Sequence, residues 1–88
     1  MTNTNTVTVK FKVPLPYGDA LLEELTLRKP KAGDLRGLKM SGLIELDVDT
    51  ILKIVPRIAS PHVVEAQLWE LEADDLARLS NGVVGFFQ

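Results

Sequence analysis

From Val7 onward the chain alternates strictly, with Val7, Val9, Phe11 and Val13 on one side and Thr8, Lys10 and Lys12 on the other. That is the period of a half-buried strand. Pro14-Leu-Pro-Tyr-Gly-Asp19 then predicts a turn, because each proline fixes φ and Gly18 admits positive φ. A second run follows, entered by Leu21 and Leu22, in which Leu25 and Leu27 alternate with Thr26 and Arg28. Two such runs joined by a short Pro/Gly loop make an antiparallel hairpin. A two-stranded hairpin is marginal in water, so helices from the rest of the chain must cover its apolar face. The fold class that follows is α+β, an N-terminal antiparallel β-hairpin packed against three to four short α-helices.

The 88 residues suffice for one core, and without cysteine they exclude disulfides, thiolate zinc sites and cysteine nucleophiles. Residues 1–6, Met-Thr-Asn-Thr-Asn-Thr, predict a disordered tail, and residues 7–88 a single small domain. With 45% hydrophobic and 25% charged residues the composition is that of a globular chain. Its apolar runs are too short to span a bilayer, so an intracellular, non-membrane protein is expected. Asp34 can cap a helical turn through Leu35 and Leu38, and Asp47 an apolar helix carrying Val48, Ile51, Leu52, Val55 and Ile58. Pro56 predicts a kink or break in that helix. Ser60-Pro61 reads as an N-cap with proline at the first helical position, opening a turn through Val63, Val64 and Ala66. The last helix, from about Ala73, aligns Leu76, Leu79, Val83, Phe86 and Phe87; Gly82 and Gly85 weaken it, and close packing against a neighbour would explain them.

Signals for chemistry are absent. His62 is the only histidine, which excludes a multi-histidine metal site or relay. Glu70, Glu72, Asp74 and Asp75 sit where the last helix begins, where carboxylates meet the positive end of its dipole. No calcium-loop, phosphate-loop or nucleophile-elbow spacing accompanies them, so no catalytic, cofactor or metal residue is expected and the chain does not read as an enzyme. Arg28, Lys29, Lys31, Arg36 and Lys39 form a basic patch without interleaved aromatic residues, which fits a solvated face better than a nucleic-acid site. The first 44 residues carry seven Lys/Arg against four Asp/Glu and the last 44 three against eight. Such a bipolar chain can steer a charged partner or associate head to tail with its own copies.

What remains is apolar surface. With Ile54, the Val48 to Ala59 segment has an apolar arc wider than the ~100° that one side of a core needs. Trp69, if helical, falls away from the face of Val64, Leu68 and Leu71, and tryptophan is enriched at binding hot spots. Phe86 and Phe87 either close the core or form an end that a partner covers. The candidate partner-binding residues are therefore Ile51, Ile54, Ile58, Trp69, Phe86 and Phe87.

Taken in order, Leu27-Arg-Lys-Pro-Lys-Ala-Gly-Asp-Leu-Arg36 after a strand pair, a mid-chain apolar helix, and Leu71-Glu-Ala-Asp-Asp-Leu76 running into Val83-Val-Gly-Phe-Phe87 resemble the small tail assembly chaperones of contractile-tailed, Mu-like bacteriophages. The resemblance spans Val7 to Phe87. It implies a chaperone that binds the tape measure protein in the cytoplasm of the infected or lysogenic host, keeps it soluble until tail tube protein polymerises around it, and is absent from the virion. It also implies a longer form from a programmed ribosomal frameshift, and no cofactor. A homo-oligomer is open, with neither nucleic acid nor membrane as partner. Two other readings stand beside it: a structural tail or baseplate subunit, and a small nucleic-acid-associated regulator whose affinity would fall steeply with salt.

Overall fold

The computed structural model describes residues 6–87. Strand β1 (Thr6–Tyr17) and strand β2 (Ala20–Arg28) form the expected hairpin, turning at Gly18 and Asp19 with Gly18 at φ +62°. The predicted tail over 1–6 lies outside the described residues except for Thr6, which already pairs with Arg28. The turn is tighter than the prolines suggested, because β1 continues through Pro14 and Pro16. It can do so as an edge strand, where a missing N–H removes no essential ladder bond. Register is regular from Thr6↔Arg28 to Lys10↔Glu24 and resumes at Leu15↔Leu22, so residues 11–14 of β1 face Glu23 alone. This bulge interrupts the alternation at one inward position. Phe11 and Leu15 point inward, whereas Val13, expected on the buried face, is exposed.

A 3-10 turn (Ala32–Leu35) and helix α1 (Met40–Ile44) lead into helix α2 (Val48–Ile58). Asp34 lies inside the turn, and its carboxylate accepts from the Lys31 amide at 2.9 Å. Asp47 is the N-cap of α2, accepting from the Thr50 amide at 3.1 Å and hydroxyl at 2.8 Å. α2 runs through Pro56 to Ile58, since the donor lost there falls in the helix's last turn. Ala59 and Ser60 then form strand β3, paired with Leu27 and Thr26, in the order β1-β2-β3. Ser60 is therefore a strand residue and not a helix cap; helix α3 (Glu65–Leu68) starts only after Val64. Helix α4 (Ala73–Val84) and a closing 3-10 turn (Gly85–Phe87) complete the α+β fold.

The helices cover one face of the sheet. The core joins Val9, Phe11, Leu15, Leu25 and Leu27 of the hairpin to Leu43, all five buried residues of α2, Val63, Leu68, Leu79 and Val83. α4 lies directly on β1: a Cβ on Gly82 would come within 2.9 Å of Val9 Cγ2, so glycine sets how near the helix approaches. Gly85 has nothing within 4 Å of such an atom, and packing does not explain it.

Candidate docking surface

Two polar clusters hold the scaffold. The β1 bulge frees the amides of Lys12 and Val13, which donate to the Asp75 carboxylate at 2.7 and 3.0 Å, and the Arg78 guanidinium donates to it at 2.6 Å. Asp75 is fully buried. Burial alone would raise its pKa, but the two amides and Arg78 outweigh that, and the net shift is downward. Asp75 was legible in sequence only as a helix-dipole acid; its backbone partners lie 62 and 63 residues away along the chain.

The second cluster ties the 29–39 connector down. Arg28 donates two bonds to Asp34, at 2.8 and 2.9 Å, and one to the carbonyl of Arg57 at 2.9 Å. Arg57 in turn donates to the carbonyls of Asp34 and Arg36, at 2.7 and 2.8 Å. The Arg28 hydrogen bond, with that from the Lys31 amide, holds the Asp34 carboxyl at about 2. Part of the expected basic patch is thus engaged in holding the fold together.

The expected binding residues separate into three groups. Ile51, Ile54 and Ile58, expected on a free surface, are buried in the core against this chain's own sheet and neighbouring helices. Phe86 and Phe87 are half-buried and pack against that core. Trp69 alone stands out, 52% exposed at the end of α3, with its indole N–H 3.3 Å from Glu65 Oε2. Exposed Val64 precedes α3, between two surface hollows of about 440 Å³ each. Tyr17, Gly18, His62 and Gln67 line one, and Lys53, Pro56 and Arg57 border the other. The Tyr17 hydroxyl, donating 2.6 Å to the His62 carbonyl, fixes this loop against the hairpin turn.

Sequence reasoning missed a second apolar surface. Met40, Ile44, Leu46 and Val48 are all exposed within nine consecutive residues at the elbow between α1 and α2. Met40 and Ile44, four apart, share an exposed face of α1 beside buried Leu43. The elbow is a Schellman turn: the Asp47 amide donates to the Gly42 carbonyl at 2.8 Å and the Leu46 amide to the Leu43 carbonyl at 3.3 Å. Leu46 thereby sits at φ +59°, in the position glycine usually takes. α1 lies close on α2, since a Cβ at Gly42 would reach 2.5 Å from Thr50 Oγ1. A groove of about 370 Å³ beside the elbow is lined by Glu45, Asp47 and Asp49, with Lys39 and Lys53 also on its wall. Lys53 also lines the hollow beside Val64, so the two surfaces meet there.

Among the described residues no group of three or more His, Asp or Glu side chains is placed to hold a metal ion, and no helix is long and apolar enough to cross a membrane. The model of one family, described as phage tail assembly chaperone proteins, E, or 41 or 14, matches residues 8–88. The chain belongs to the phage tail assembly chaperone family. Tail assembly protein E of Escherichia phage P2 is 38% identical over 73 residues, covering 83% of this chain and 80% of that protein. Tail assembly protein E' of the same phage is also 38% identical over 73 residues, which make up 51% of its length, so it is the longer relative. No solved structure matches the chain significantly. The family is one of tail assembly chaperones, not an enzyme family.

Proposed function

We propose that this protein binds the phage tape measure protein during tail assembly, keeps its apolar helices soluble in the host cytoplasm, and leaves before the virion is complete. The observation that carries this reading is that the domain fills its own core yet leaves eight large apolar side chains exposed among the described residues, in a chain of the tail assembly chaperone family. Helix-in-groove contact of this kind is reversible and needs no nucleotide or metal. Val64 and Trp69 supply one contact, with Phe86 and Phe87 contributing only their exposed edges. Tail tube protein displaces the chaperone as it polymerises, and a longer form comparable to the longer phage P2 relative shares the work.

The test is co-expression with the tape measure protein of the same phage, followed by size-exclusion chromatography with light scattering. The expected result is a soluble complex where the tape measure protein alone aggregates, lost in a Val64→Ser/Trp69→Ser double variant that still melts cooperatively. The light scattering also gives the number of copies. Presence of the chain in purified virions, with no such complex, would make it a structural subunit instead.

A further inference from the structure

Leu46 is poorly chosen for the fold. Its backbone lies in the left-handed region, where a β-carbon crowds the following carbonyl, and its side chain, 39% exposed, belongs to no part of the core. Glycine or asparagine would close the same Schellman turn with less strain and no apolar exposure. A strained, exposed leucine that serves neither turn nor core points outward, to something that covers it. Around it the chain reads Ile44-Glu-Leu-Asp-Val-Asp49, apolar and acidic residues in alternation with no cation among them. All six are exposed.

We infer that the α1–α2 elbow is a docking site for an amphipathic helix whose apolar stripe is bordered by lysine or arginine. The apolar side chains of Met40, Ile44, Leu46 and Val48 meet the stripe, and Glu45 and Asp49 meet its cationic border. Asp47 is already engaged as the cap of α2. Along the groove Glu45, Asp47 and Asp49 outnumber Lys39 and Lys53, so charge favours a basic-bordered helix over an acidic-bordered one. This deepens the chaperone reading by naming the kind of segment it holds, and it rests on that reading for the partner's identity.

The experiment uses the full chain and two synthetic helical peptides with leucine at i, i+3, i+4 and i+7, one flanked by lysine and the other by glutamate, with binding followed by fluorescence anisotropy at low salt. The lysine peptide should bind at least ~10-fold more tightly than the glutamate peptide. Ile44→Ser should weaken the lysine peptide ~10-fold, as truncating an interface anchor does. Leu46→Gly should weaken it comparably while leaving the melting temperature unchanged or higher, a combination that a merely structural leucine would not give. A lower melting temperature for Leu46→Gly, or equal affinity for both peptides, overturns the inference. So does conversion of a wild-type dimer to a monomer by Ile44→Ser, which would make a second copy the occupant. Co-expression separates the two readings: if the wild type rescues the tape measure protein and the elbow variants do so equally well, the elbow fails and the chaperone reading stands. If the wild type rescues nothing yet binds the lysine peptide through the elbow, the chaperone reading fails and the docking site stands.

Discussion

Replacing Asp75 by alanine removes the one acceptor that serves the amides of Lys12 and Val13 and leaves the Arg78 guanidinium only its longer 3.9 Å pair with Asp74. Buried donors without partners are costly, so Asp75→Ala should lose about 3 kcal/mol or more in urea unfolding. Asp75→Asn keeps one carbonyl acceptor but turns an amide N–H₂ toward the other backbone donor, and should lose an intermediate amount. Equal stability of all three proteins would show that the bulge finds water instead. The same carboxylates set the acid response. Asp34, held at about 2 against an ordinary 3.8, and Asp75, also lowered, hold fewer protons in the folded chain than in the unfolded one. Their contribution is therefore present above the ordinary carboxylate range and is lost as pH falls from about 4 toward 2. Thermal melts across that window should show a steep fall in midpoint that flattens in Asp34→Asn.

Where α4 crosses β1, two glycines of the same helical end predict opposite outcomes. Gly82→Ala gains about 1 kcal/mol of helix propensity but forces its new carbon against Val9 Cγ2, a β-branched side chain with little freedom to move. Overpacking should win, for a net loss of about 1 kcal/mol in urea. Gly85→Ala meets nothing, keeps a helical φ of −58°, and should gain about 0.5 kcal/mol. The hairpin, α2 and α4 were legible in sequence because each carries its own period and its own cap or turn residue. β3 was not legible: two residues are too short for a period, and Ser60-Pro61 imitates a helix start while its backbone is taken by Thr26 and Leu27. The elbow was hidden for a related reason. A Schellman turn is usually announced by glycine, and here leucine holds the position. Trp69, for which the sequence left core packing and an exposed contact both open, is exposed just past the end of α3.

At the scale of the whole molecule, the width of α2's apolar arc measures how many neighbours the helix has. α2 lies among the sheet, α1, α3 and α4, so Ile51, Ile54 and Ile58 are all spent inside and only Val48, at the start of the arc, remains exposed. A chaperone built this way can bind in two physically different manners: by docking apolar helices on surfaces already exposed, or by opening so that the isoleucines themselves are offered. Docking on the closed domain stabilises the folded state by mass action, about 2.7 kcal/mol at a hundredfold excess over Kd, which for a domain of this size corresponds to a rise of roughly 10 °C or more in melting temperature. Opening exposes the α2 amides to exchange. We expect hydrogen exchange of the complex with the tape measure protein to leave Ile51–Ile58 as protected as in the free chain, with new protection confined to the elbow and the Val64–Trp69 surface. Faster exchange along α2 on binding, together with a lower melting temperature, would return the three isoleucines to the interface and show that the closed domain is the resting form rather than the binding one.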